Sequence, residues 1–147
     1  MLTLTGVSQT ILLSNDLNSL VFGKTTINEA KKILGKPTEK KACTGLPDRI
    51  AYNYLDKHFT LQFYSWPKNK TLYAIIIDST STISINNVII CGAADTGLVK
   101  TMLGNPDPLD ANPPSSAFLY TIKGTEYWFV FNNKGILRHV SIFKDSP

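Results

Sequence analysis

The residues able to do acid–base or nucleophilic chemistry are few and scattered. His58 and His139 are the only histidines, and neither lies in the Ser/His/Asp or Cys/His order that a hydrolytic site needs. No two carboxylates fall on one strand face as glycoside hydrolysis requires. Gly23-Lys24-Thr25-Thr26 looks like the end of a phosphate-binding loop, but that loop needs a glycine five residues before Gly23, where Asn18 stands. Thr26 reads better as a helix cap. Asp107 and Asp110 lie in a Pro-rich stretch and read as solvated carboxylates. Cys43 and Cys91 lack metal-ligand spacing. Either they pair in an oxidising compartment, or Cys91 is a buried apolar residue beside Val88–Ile90. Asn69-Lys70-Thr71 matches a glycosylation acceptor, a pattern frequent by chance. The chain is not expected to be an enzyme, and no cofactor or metal is expected.

Composition narrows the classes further. With 147 residues, 43% hydrophobic and 18% charged, the chain is long and apolar enough to bury a core. Intrinsic disorder is excluded, since it needs low hydrophobicity and high net charge. No apolar run reaches the length of a bilayer span, so no integral membrane segment is expected. The formal charge is +4, carried mostly by scattered lysines. Without Arg clusters and interleaved aromatic platforms, this reads as a solvated basic surface and not as a nucleic-acid site. Residues 1–15 hold no basic segment followed by an apolar stretch, so no secretory signal is visible.

The elements that must position any site repeat along the chain. Gly23 is followed by Ile33-Leu34-Gly35 and Pro37, and Gly92 by Met102-Leu103-Gly104 and Pro106. Tyr52 then aligns with Tyr120, Leu61 and Phe63 with Phe129 and Phe131, and Ile75 and Ile77 with Val140 and Ile142. Thr26 and Glu29 form a capping box before the helical spacing of Ile27, Ala30, Ile33 and Leu34. Asp95 caps a matching stripe of Leu98, Val99, Met102 and Leu103. Aromatic and β-branched runs separated by short turns predict antiparallel meanders. The segments Thr38–Pro47 and Pro106–Pro114 read as loops. The expected fold class is α+β, with two tandem helix-plus-antiparallel-sheet repeats side by side, one curved sheet and helices on one face. The first unit, 1–80, holds an N-terminal strand, helix 26–34 and meander 50–78. The second, 81–147, holds strand 82–90, helix 95–103 and meander 117–143.

The glycine-bounded helix, the Tyr/Trp strand and the aromatic hairpin together resemble the tandem-repeat β-lactamase inhibitory protein fold. The same half-unit is similar to the SmpA/BamE family of small outer-membrane assembly lipoproteins. The resemblance spans about residues 18–78 and 83–144. It implies a bacterial protein of the periplasm or cell envelope whose concave sheet grips another protein, as an inhibitor, an immunity protein or an assembly component.

Alternation then separates two faces. Phe59, Leu61 and Phe63, with Tyr127, Phe129 and Phe131, belong under the helices. The opposite face takes Thr60, Gln62, Tyr64, Trp66, Trp128, Val130, His139 and Ser141. An open antiparallel face is normally polar, so Tyr and Trp there suggest a partner, for which they are frequent anchors. The other placement for Trp66 and Trp128 is cover over the junction of the two units. The expected function is non-catalytic protein binding through these residues. The alternative is a small-molecule or lipid-binding domain with its ligand between helices and sheet, against Phe63 and Phe131.

Overall fold

The structure, a computed structural model, describes residues 11–13, 17–43, 45–66, 70–78, 83–85, 88–90, 94–107 and 117–144. Sequence readings that rest on Asn69, Thr82, Cys91, Gly92, Asp110 and the prolines of 108–114 lie outside them. In chain order the elements are β1 (Ile11–Leu13), α1 (Ile27–Leu34), β2 (Glu39–Cys43), β3 (Leu46–Tyr54), β4 (Phe59–Tyr64) and β5 (Leu72–Asp78). There follow β6 (Ile83–Ile85), β7 (Val88–Ile90), α2 (Thr96–Leu103), β8 (Ala117–Ile122), β9 (Thr125–Phe131) and β10 (Leu137–Lys144). Seven strands form one antiparallel sheet in the order β2-β3-β4-β5-β10-β9-β8, and β1-β6-β7 form a small second sheet.

This topology corrects the expected fold class. The chain is mostly sheet, and it is not two helix-plus-sheet repeats. Strands β5 and β10 pair from His139↔Asp78 to Phe143↔Ala74, joining all seven strands into a single layer. Two eight-residue helices are minor elements beside it. The cause lies in the central strands themselves. Ile75, Ile77, Val140 and Ile142 are all buried, and β-branched side chains pack best against neighbours across a pleated, buried surface.

Two element assignments also change. Thr38–Pro47 is not a loop: it holds β2 and the start of β3. Its Glu-Lys-Lys-Ala-Cys run shows no apolar alternation because β2 is an edge strand, where charges discourage pairing with another chain. The strand expected over 82–90 is instead the β6–β7 hairpin, with Ile83 opposite Ile90.

At the helix ends the sequence chemistry is visible atom by atom. The Glu29 N–H donates to Thr26 Oγ1 at 3.3 Å, and the Leu98 N–H donates to the Asp95 carboxylate at 2.8 Å. Gly35 and Gly104 end the helices at φ +86° and +81°, where a side chain would be strained. Neither helix is long enough to be stable alone. Ala30, Leu34, Val99 and Leu103 join Phe59, Leu61, Phe63, Phe129, Phe131, Ile83 and Ile85 in one core. The helices and the small sheet therefore pack on one side of the large sheet.

Each helix end is also tied to a strand by a tyrosine. Tyr54 donates its hydroxyl to the Gly35 carbonyl and Tyr120 donates to the Gly104 carbonyl, both at 2.9 Å. By this role Tyr54, and not Tyr52, is the counterpart of Tyr120. Burial, reinforced by the Asp107 charge, pushes the Tyr120 phenol up to about 12. The folded chain thus keeps a proton that the unfolded chain sheds near 10. Stability is expected to fall as pH rises through that interval. Alkaline denaturation of wild type and Tyr120→Phe checks this: the variant loses about 1 kcal/mol at neutral pH and has a flatter alkaline slope.

Candidate partner-binding face

Phe59, Leu61 and Phe63 enter the core, which turns Thr60, Gln62 and Tyr64 to the opposite face. The register extends this face across the sheet. Gln62 lies opposite Ala51 and Ala74, and Thr60 opposite Asn53 and Ile76. Ile76 in turn lies opposite Ser141, and Ser141 opposite Trp128. His139 sits between Asp78 and Val130. Thr60, Gln62, Tyr64, Trp128, Val130, His139 and Ser141 therefore share one face. Trp66, two residues past β4 and 48% exposed, joins them by stacking on Tyr64 at 4.8 Å.

Sequence reasoning missed residues that complete this face. Tyr73 shares parity with the buried Ile75 and Ile77 and so reads as core. A bulge where β5 passes Gln62 and Phe63 breaks that parity, and Tyr73 meets Tyr64 edge-on at 5.2 Å. Tyr73 also stacks on Phe143 at 6.0 Å, and Phe143 stacks on Trp128 at 6.5 Å. Leu137 departs from alternation in the other direction. Alternation groups it with His139 and Ser141, but a bulge between Leu137 and His139 returns it to the core, where it is buried.

The result is a row of five rings across the sheet: Trp66, Tyr64, Tyr73, Phe143 and Trp128. Arg49 lies over it, its guanidinium 3.6 Å from the Tyr73 ring centroid and 5.9 Å from that of Tyr64. Such a contact contributes about 0.5–2 kcal/mol. Arg49 Nε is 3.9 Å from the Asp48 carboxylate, too far for a hydrogen bond. Among the described residues, the buried side-chain polar atoms without a hydrogen-bond partner are Arg49 Nε and Trp128 Nε1. Both belong to this row. A buried donor left without a partner costs about 1–3 kcal/mol, so a group that accepts from either one would gain by docking here.

Polar residues flank the rings. Thr60 donates to Asn53 Oδ1 at 2.7 Å, and Asn53 donates to Glu39 at 2.7 Å. The Asn53 hydrogen bond, helped by Lys41, holds the Glu39 carboxyl below its ordinary value. Asp78 has His58 Nδ1 at 3.4 Å and His139 across the strand pair. Among the described residues no cluster of three or more His, Cys, Asp or Glu could hold a metal. No helix among them is long and apolar enough to cross a membrane. Cys43 is a free thiol whose pKa burial raises.

Burial, with the neighbouring Arg138 charge, holds His139 below its ordinary 6.5. The native state binds fewer protons there than the unfolded chain, so stability is lost as pH falls through 6.5 toward the folded value. Thermal melts between neutral pH and about 5 are expected to show this acid loss, and His139→Gln to reduce it.

The sequence matches no family model and no curated protein. Two solved structures are similar in fold. A DUF4309 family protein, YjgB, from Bacillus subtilis aligns over 86% of this chain and 82% of its own, with TM-score 0.56 and 14% identity. An extracellular SCP-domain protein from Bacillus anthracis aligns over 90% of this chain with TM-score 0.63 and 9% identity. The chain spans about half of that protein, 47% of its length.

Proposed function

We propose that the chain is a non-catalytic protein-binding module that holds another protein on the open face of its large sheet. The observation that carries this reading is the five-ring row with Arg49 over it, which together hold both of the buried donors that lack a partner among the described residues. Trp, Tyr and Arg are the residues enriched at interface hot spots, and here they are contiguous. An inhibitor or immunity protein and an envelope-assembly component, the roles implied by resemblance to the β-lactamase inhibitory and SmpA/BamE folds, both use such a face. The alternative, a small molecule or lipid between helices and sheet, draws less support. Phe59, Leu61, Phe63, Phe129 and Phe131 are buried there against α1 and α2.

The test is affinity capture from extracts of the native organism with wild-type, Trp66→Ala and Tyr73→Ala baits in parallel. A protein retained by the wild type and lost from both variants is the expected result. Retention of the same proteins by all three baits, or of none by the wild type, overturns the proposal. Trp66 is exposed enough that its replacement leaves the fold intact.

A further inference from the structure

A second surface stands on the helix side, away from the aromatic row. Lys31, Lys32 and Lys36 leave the last turn of α1 and the residues after it. Lys40, in β2, faces Tyr52 across the strand pair. The ammonium groups of Lys31 and Lys40 lie 5.8 Å and 5.9 Å from the Tyr52 ring centroid. Lys57 donates to the Leu34 carbonyl, bringing the turn at Leu55–Lys57 against the end of α1. The Leu55 N–H, donating to Thr38 Oγ1 at 3.1 Å, fixes that turn from the other side.

Five lysines therefore surround one helix end. Asp56 is the acid in their midst, so the local excess matches the chain's whole formal charge of +4. Glu39 is engaged by Lys41 at 3.3 Å and by Asn53. Glu29 sits at the far end of α1 against Thr26. The helix dipole and the Leu34 carbonyl explain Lys31 and Lys57. They do not explain Lys32 and Lys36, nor the apolar side chains among the lysines. Leu55 is 56% exposed and Ile33 41% exposed.

From this juxtaposition we infer that the α1 end, with Lys31, Lys32, Lys36, Lys40 and Lys57 around Ile33 and Leu55, docks on an anionic phospholipid surface. Lysines supply attraction to the headgroups and the two exposed aliphatic side chains enter the interfacial layer. A soluble polyanion would use the lysines but would have no use for Leu55. The inference is independent of the open-face reading, because the two surfaces lie on opposite sides of the sheet.

The test is co-sedimentation of the full chain with vesicles of phosphatidylcholine containing about one-third phosphatidylglycerol, against vesicles of phosphatidylcholine alone. Binding to the anionic vesicles only, weakened by salt, is expected. Lys32→Gln/Lys36→Gln is expected to lower the partition coefficient about 25-fold, and Leu55→Ser several-fold. Circular dichroism checks that both fold, and Lys32 and Lys36, exposed on the surface, have no structural role to lose. No binding, equal binding to neutral vesicles, or unchanged binding by the lysine variant overturns the inference. Dependence on the lysines with full indifference to Leu55→Ser also overturns it, by pointing to a soluble polyanion.

Discussion

Replacing Phe129 with alanine is expected to lower folding stability by about 3–5 kcal/mol, the largest effect of any single substitution considered. Phe129 is fully buried in β9 and meets the Tyr120 ring edge-on at 5.7 Å. Its loss opens a cavity beneath α2 and removes the support of the ring whose hydroxyl holds the Gly104 carbonyl. Stability and helix anchoring are then affected together. Urea denaturation provides the measurement: the midpoint should fall sharply with an unchanged slope. A loss under 1 kcal/mol would mean that the core under α2 is not packed as described.

The second large effect is on association. Trp66→Ala is expected to weaken partner binding by at least about 30-fold, the hot-spot range, while stability changes by no more than about 1 kcal/mol. Trp66 is half exposed and touches the molecule through its stack on Tyr64. Little folding energy rests on it. Titration of the captured partner against wild type and variant, with melting curves for each, separates the two quantities. A large drop in melting temperature with unchanged affinity would assign Trp66 to structure.

Much of the local architecture was legible because its signals are local. Caps at Thr26 and Asp95, stops at Gly35 and Gly104, and the Lys123-Gly124 turn depend on neighbours in sequence. So does alternation along β4, which assigned Thr60, Gln62 and Tyr64 correctly to one face. What failed depended on pairing between distant strands. Repeated positions suggested two helix-plus-sheet units, whereas the chain is mostly strand, with seven strands in one sheet, three in a second and two short helices beside them. The charges of β2 hid a strand because an edge strand needs no apolar alternation. Each bulge reverses parity at one point, and a sequence does not mark where. Tyr73 was thereby lost from the site, and Leu137, which alternates with His139 and Ser141, is returned to the core by a bulge. Phe143 continues the alternation of His139 and Ser141, whereas Arg49 follows from register, since it lies opposite Tyr64.

The chain's two tryptophans, Trp66 and Trp128, both lie in the aromatic row, so tryptophan fluorescence reports on that face and nothing else. Acrylamide quenching of the free chain and of its complex with the captured protein is therefore the most direct measurement. A blue-shifted emission and marked protection of Trp66 in the complex are predicted. Emission and quenching identical in the free and bound chain would contradict the account, because the partner would then be held somewhere other than the open sheet.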